Sequence, residues 1–200
     1  MSALRTVQLT AADFQDGQYV GAHDLSGARV LDAHLEITAD LGWVRFLRLR
    51  VRGRVRALAG TGIKAGSGIE AGEGIEAGWG IKAGTGIKAG EGIEAGEGIE
   101  AGTGIEAGEG IEAGWGIEAG AGIKAGAGIK AGAGIKAGTV LRVGLRVFAG
   151  LILWRLPTED EQLVVCGRFE GGVVAYGRLI ERGLSSDTPT PVEAAGGTDA

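Results

Sequence analysis

The chain has 200 residues, of which 41 are glycine and 3 are proline, and its formal net charge is −5. Aromatic residues make up only 5%, which excludes a thick core of large side chains and favours a thin, elongated one. Because Cys166 is the single cysteine, an intramolecular disulfide framework is excluded, and no Cys/His cluster has the spacing of metal ligands. The sequence therefore indicates no metal and no cofactor.

The first 40 residues precede the repeats and are predicted to form an N-terminal cap and the first coils. The opening MSALRTVQLTAADF lacks the continuous apolar segment of a secretory signal. Within this segment, Ala28-Arg29-Val30 and Ala33-His34-Leu35 lie five residues apart and faintly resemble pentapeptide-repeat coils. A cap is expected because the exposed strand edges at the ends of a repeat stack otherwise template further stacking.

Arginine occupies every second position of LRLRVRGRVR, namely Arg48, Arg50, Arg52, Arg54 and Arg56. This spacing directs them to solvent, and two interpretations remain open. They form a basic patch that binds phosphates, or they pair with glutamates of the next coil, as Arg52 would with Glu70 eighteen residues later. The second interpretation is favoured. The acidic net charge of the chain and the lack of aromatic residues among the arginines argue against a nucleic-acid partner.

A hexapeptide array occupies residues 62–138 and repeats Gly-Ile-(Glu/Lys)-Ala-Gly-x. Glycine spacing alternates between four and two, which excludes collagen. Isoleucine and alanine alternate with the charged residue, so each unit is predicted to form a short strand with one buried face. The Gly-x-Gly segment is predicted to form a corner because glycine reaches backbone angles closed to other residues. Residue x is then exposed at a vertex.

Stacking the sequence at eighteen residues per coil aligns like residues, whereas twelve scrambles them. The three vertex columns are Ser67, Thr85, Thr103, Ala121 and Thr139; Glu73, Glu91 and Glu109; and Trp79, Glu97, Trp115 and Ala133. We therefore predict an all-β fold: a single triangular parallel β-solenoid over residues 41–156, with capping segments at both ends. Odd-numbered apolar residues outside the array are expected to point inward, namely Leu47, Leu49, Val51, Val55, Leu141, Val143, Leu145, Val147, Leu151 and Leu153.

Residues 157–182 are predicted to add short strands and a C-terminal cap, and residues 183–200 to form a disordered polar tail. The most apolar stretch, from Val140 to Leu156, contains three arginines and is too short to span a bilayer. We therefore expect no membrane partner and a cytoplasmic location, in a protein of bacterial or phage type.

The six-residue period, the inward aliphatic and small residues and the triangular coils resemble the hexapeptide-repeat β-helix class over roughly residues 45–155. That class includes the left-handed helices of acyltransferases and the right-handed solenoids of bactofilin-type filament proteins. The resemblance implies the architecture. Its bactofilin-type branch implies an alternative function for this chain, as a structural element that polymerises end to end.

The charge pattern is the feature that points towards a function. Stacking places seven carboxylates and two indoles on one side: Glu73, Glu76, Trp79, Glu91, Glu94, Glu97, Glu109, Glu112 and Trp115. Like charges on adjacent strands destabilise a sheet by about 0.2–1 kcal/mol per pair, and the neighbouring face avoids this by alternating Glu70, Lys88, Glu106 and Lys124. Two interpretations remain: the glutamates serve solvation, or they form a partner-binding face with tryptophan anchors.

No enzyme motif is found. His23 and His34 lie outside the array and have no catalytic spacing to Cys166. We expect a non-enzymatic repeat protein that binds a protein partner through the acidic, Trp-edged face. Such a protein would act as an inhibitor that mimics phosphates, in the manner of phage and mobile-element anti-defence proteins. The alternatives are a self-assembling homo-oligomeric scaffold and, as a minor one, an ice-binding solenoid using the Ser/Thr vertex.

Overall fold

A computed structural model of the chain describes residues 4–25, 29–152 and 155–183. The described chain winds through three sheets in turn, and three strands complete each coil. The result is an all-β parallel solenoid of about 8 turns with roughly 18 residues per turn. The predicted fold class and period are confirmed.

The strands of the three sheets stack in chain order. Sheet A contains β1 (Thr6–Leu9), β4 (His34–Ile37), β7 (Val55–Ala57), β10 (Ile75–Ala77), β13 (Ile93–Ala95), β16 (Ile111–Ala113), β19 (Ile129–Ala131), β22 (Arg146–Ala149) and β25 (Val173–Tyr176). Sheet B contains β2 (Phe14–Gln15), β3 (Gln18–Tyr19), β5 (Gly42–Phe46), β8 (Thr61–Ala65), β11 (Ile81–Ala83), β14 (Ile99–Ala101), β17 (Ile117–Ala119), β20 (Ile135–Ala137), β23 (Leu163–Cys166) and β26 (Arg178–Glu181). Sheet C contains β6 (Leu49–Val51), β9 (Ile69–Ala71), β12 (Ile87–Ala89), β15 (Ile105–Ala107), β18 (Ile123–Ala125), β21 (Val140–Val143) and β24 (Arg168–Glu170). Two 3₁₀ turns span Ala11–Asp13 and Asp160–Gln162.

Each repeat forms a three-residue strand whose outer residues are buried and whose central residue faces solvent. In β14, Ile99 is 1% exposed and Ala101 2% exposed, with the exposed Glu100 between them. The parallel register places isoleucine on isoleucine and alanine on alanine along each sheet, as in the pairing of β13 with β16. Because stacked side chains are identical, the thin core repeats from coil to coil without a change in packing volume.

The two glycines of each corner have different surroundings. A Cβ on Gly102, which follows an alanine, would lie 2.1 Å from the carbonyl oxygen of Gly84 in the preceding coil. A Cβ on Gly104, which precedes an isoleucine, would lie 3.3 Å from the carbonyl oxygen of Gly122. The glycines with φ in the left-handed region all lie outside the array. The expectation that array glycines supply special backbone angles is therefore wrong: close approach of stacked coils excludes a side chain at the first of the two positions.

Coils that precede the array are longer than eighteen residues. Val55 pairs with Ile75 and Leu49 pairs with Ile69, each twenty residues later. The predicted inward orientation is wrong for the side chains of Leu47 and Leu145, which are 61% and 63% exposed. Both occupy vertices, where they stack on Ser67 and Ala127 through backbone hydrogen bonds of 2.8 and 3.0 Å. Vertex residues are odd-numbered as well, so parity alone did not separate them from core residues. Leu153 lies outside the described residues.

The two ends of the solenoid differ. At the N-terminal end, Phe14 and Tyr19 of the antiparallel β2–β3 hairpin pack on Phe46, with ring centroids 5.4–5.9 Å apart, and Val7 and Leu9 of β1 are buried.

At the C-terminal end, strands β24, β25 and β26 continue the three sheets, but Phe169, Val174 and Leu179 are only partly buried. The core is therefore closed at the N-terminal end and half-exposed at the end of the last described coil. The predicted tail from residue 184 onward and Ala28 of the faint pentapeptide match lie outside the described residues.

Candidate functional site

Six carboxylates line one shallow groove on sheet A. The parallel register stacks Glu76, Glu94 and Glu112 at the centres of successive strands. The vertex residues that precede these strands, Glu73, Glu91 and Glu109, lean over the same groove. Because neighbouring parallel strands lie about 4.8 Å apart, the carboxylates repeat at that spacing along the solenoid. The sequence grouped these six residues on one side, and the structure places them together.

Basic residues neutralise both ends of this acidic row. Glu73 lies 3.8 Å from Nε of Arg54. Glu76 lies 3.1 Å from Arg56, and Glu112 pairs with Lys130.

Three carboxylates in the middle of the row remain, namely Glu91, Glu94 and Glu109, and they form no ion pair with any described residue. We call these three residues the acidic centre. Its charge is concentrated in two consecutive coils.

The tryptophan column lies over sheet B rather than over the acidic groove. Trp79 packs edge-on against Trp43 of β5, with ring centroids 6.4 Å apart. Glu97 and Trp115 line a groove on sheet B. Trp79, Glu97 and Trp115 are the vertex residues that precede the sheet B strands β11, β14 and β17. The structure thus divides the predicted acidic, Trp-edged face between two sheets.

Trp43 is a residue of this region that the sequence analysis did not identify. Its indole ring lies on the backbone of sheet B, where a Cβ added to Gly62 or Gly80 would be 2.9 Å from the ring. The register pairs Trp43 with Gly62, nineteen residues later. When the sequence is aligned at eighteen residues per coil, Trp43 does not fall in the same column as Gly62 and Gly80. The contact is therefore not visible at the period that describes the array.

The five arginines are distributed around a corner instead of forming one patch. Arg50 lies in sheet C and Arg56 in sheet A, and the other three lie outside the strands. Arg50 pairs with Glu70 at 2.8 Å and Arg52 with Asp32 at 2.9 Å. The interpretation that they form ion pairs is confirmed for Arg50, Arg54 and Arg56 with array glutamates. The specific pairing of Arg52 with Glu70 is wrong, because the coil there contains twenty residues.

Sheet C carries the predicted ladder of alternating charge, with Glu70, Lys88, Glu106 and Lys124 in register. The Glu106 carboxylate lies 2.9 Å from Lys124 and 3.7 Å from Lys88. The hydrogen bond from Lys124 is the main cause that lowers the pKa of Glu106 below its usual value. Thr85 and Thr103 line a groove beside this ladder, so the threonine vertex faces charged side chains.

Two further observations concern the described part of the chain. No group of three or more His, Cys, Asp or Glu side chains there has an arrangement that would hold a metal ion. No helix in it has the length and hydrophobicity needed to cross a membrane.

The fold and its surface define the chain as a β-solenoid repeat protein. Comparison with protein-family models, with curated protein sequences and with solved structures found no match. The structure shows the parallel solenoid with about 18 residues per turn, and no match names a hexapeptide-repeat or bactofilin class for the chain.

Proposed function

We propose that this chain is a non-enzymatic repeat protein that binds a protein partner with a basic surface through the acidic groove of sheet A. The observation that carries the proposal is the acidic centre: Glu91, Glu94 and Glu109 have no cationic partner among the described residues. Elsewhere on the solenoid the same repeat places lysine opposite glutamate, as in Lys82–Glu100 and Lys136–Glu118. The acidic centre therefore carries negative potential that the fold itself does not require.

A rigid scaffold favours this use of charge. Backbone N–H groups of the acidic coils donate to the neighbouring coil, including Glu91 to Glu73 at 3.3 Å and Glu109 to Glu91 at 3.2 Å. The row is thus preorganised, and little backbone entropy is lost on binding. Complementary charge raises association rates and specificity. In the finer form of the proposal, the carboxylates occupy the positions of phosphates on a partner that binds phosphorylated ligands or nucleic acid, and the chain acts as its inhibitor.

The test compares two variants of equal net charge. Glu91→Gln/Glu94→Gln/Glu109→Gln removes the acidic centre, while the control Glu70→Gln/Glu106→Gln/Glu170→Gln removes three glutamates that form ion pairs on sheet C. Partners are captured from a bacterial lysate with the wild-type protein, identified, purified and titrated against all three proteins at two salt concentrations. We expect the first variant to lose about tenfold or more in affinity and the control to remain close to wild type. Equal affinities for the two variants would refute the proposal.

A second candidate function, self-assembly, is favoured by the half-exposed core at the C-terminal end. The side chains of Phe169, Val174 and Leu179 are only partly buried, although the register pairs them with the fully buried Leu141, Val147 and Val164 of the preceding coil. Because aromatic side chains cover the N-terminal end, a head-to-tail filament would need that end to open. Two C-terminal ends joined by a two-fold axis would close after one contact.

Concentration-dependent light scattering, combined with Val174→Lys in the half-exposed core, tests self-assembly. A dimer that the substitution dissociates supports it, and a monomer at all concentrations argues against it.

A further inference from the structure

Sheet B contains one arrangement of tryptophan and glycine twice, two coils apart. In the first copy, the floor is the backbone of Gly62 and Gly80, and Trp79 forms one wall. The indole of Trp43 lies on this floor and against this wall. Because Trp43 covers it, Trp79 is only 37% exposed.

The second copy lies thirty-six residues later in the sequence, with Gly98 and Gly116 as the floor and Trp115 as the wall. The residue equivalent to Trp43 is here Gly80, which has no side chain to cover the floor. Trp115 is accordingly 52% exposed. A groove of ≈ 700 Å³ opens beside it, within the range of about 300–1,000 Å³ typical of ligand pockets.

The two copies differ in the charge of their other residues. The first is flanked by Lys64 and Lys82, and the second by Glu100 and Glu118 at the equivalent positions. Glu97 of the second copy occupies the position of Thr61 in the first copy, where Thr61 is fully buried. Glu100 and Glu118 each bind one lysine, Lys82 at 2.6 Å and Lys136 at 2.7 Å.

A carboxylate accepts more than one hydrogen bond, so Glu100 and Glu118 retain acceptor capacity. Glu97 makes no ion pair with any described residue. The second copy therefore fits an occupant that is planar, like the indole in the first, but positively charged.

We propose that this groove binds the guanidinium group of an arginine side chain presented by a protein or peptide partner. The guanidinium is planar, stacks on an indole face and donates several hydrogen bonds to carboxylates. Stacked on Trp115 above Gly98 and Gly116, it reaches Glu97 on one side and Glu100 or Glu118 on the other. Lysine has no planar group to stack, so the site discriminates between the two cations. The site is on sheet B and does not depend on the acidic groove of sheet A.

The probe is N-acetylarginine amide, compared with N-acetyllysine amide, which has the same charge, and with neutral N-acetyltryptophan amide. The readout is the chemical shift of the Trp115 indole N–H in NMR spectra of the full chain, assigned by its loss in Trp115→Ala. We expect a saturable shift with the arginine probe and affinity for the lysine probe that is lower by about fivefold or more. Tyr176→Ala, which removes an exposed aromatic side chain from sheet A, should leave the titration unchanged.

Glu97→Gln tests the charge contribution without removing the stacking surface. We expect this variant to weaken binding of the arginine probe severalfold while its far-UV circular dichroism spectrum stays unchanged. The variant still tests the site if Trp115→Ala perturbs folding. Equal, non-saturable shifts with the arginine and lysine probes would overturn the proposal. Tighter binding of the neutral indole probe would overturn it as well, because it would show an aromatic rather than a cationic site.

Discussion

Two glycines separated by one residue are expected to respond differently to the same substitution. In Gly102→Ala, the new methyl group would lie 2.1 Å from the carbonyl oxygen of Gly84, a rigid backbone atom. The clash is relieved only if the two coils move apart. That movement weakens two backbone hydrogen bonds, from Gly102 to Ala83 at 3.0 Å and from Thr103 to Thr85 at 2.9 Å. Overpacking costs about 1–3 kcal/mol and each weakened hydrogen bond about 1 kcal/mol. We expect a loss of about 3–5 kcal/mol in the free energy of unfolding.

The matched variant is Gly104→Ala, in which the methyl group would lie 3.3 Å from the carbonyl oxygen of Gly122. A contact of this length requires only a small adjustment, and replacing glycine also restricts the unfolded chain, which stabilises by about 0.4–1 kcal/mol. We expect a change within about 1 kcal/mol of wild type. Guanidinium unfolding followed by circular dichroism measures both variants, and hydrogen exchange shows whether the loss is local to the coil. Equal effects of the two substitutions would refute the argument that coil spacing selects the first glycine.

Three further predictions concern the core, the acid limit of stability and the thiol. Ile99→Ala removes a side chain that is 1% exposed, so thermal and denaturant unfolding should show a loss of about 2–5 kcal/mol; a loss below 1 kcal/mol would argue against a close-packed core. The hydrogen bond from Arg155, aided by Thr158, lowers the pKa of Glu161 from 4.5 to about 2. The stabilisation by this ionised carboxylate is therefore present above pH 4.5 and is lost as the pH falls towards 2. Glu161→Gln should therefore flatten the decline of the unfolding midpoint in that pH window, and an unchanged slope would contradict the assignment. Burial raises the pKa of the Cys166 thiol, with a smaller contribution from the charge of Glu181. A thiol reagent at pH 8 should therefore react slowly with the folded chain and rapidly after unfolding. Equal rates would place the thiol at the surface.

Several features of the site were predictable and others were not. The period of eighteen placed Glu76, Glu94 and Glu112 in one stack, and the register confirms it. Pairing of the arginines with array glutamates was predicted, but the particular partner of Arg56, Glu76, was not, nor was the pairing of Glu112 with Lys130. The Arg56 pair depends on a coil of twenty residues, and a pattern searched at a fixed spacing misses pairs that form where the spacing changes.

Side-chain direction at the vertices was the second unpredictable feature. When the repeat is drawn as a triangle, a vertex residue lies between two faces and can cover either of them. Trp79 and Trp115 were therefore predicted to lie along the edge of the acidic face. In the structure, Trp79 is held over sheet B by Trp43, which reaches it from a strand two coils away. Local periodicity carries no information about which face a vertex side chain covers, since that choice depends on the neighbours that pack against it.

The sequence by itself determined the period, the alternation of buried and exposed residues and the three-sided parallel coil. The physical reason is that a strict repeat of one short unit can bury its isoleucines only by stacking on itself. Tertiary structure decided which side chains form the two candidate binding surfaces. It paired three of the six carboxylates of the acidic row with basic residues and left Glu91, Glu94 and Glu109 without an ion-pair partner among the described residues. It also covered one tryptophan site and left the site at Trp115 open. The physical reason is that charge compensation and side-chain burial depend on the register between coils of unequal length, which the period of one repeat does not specify.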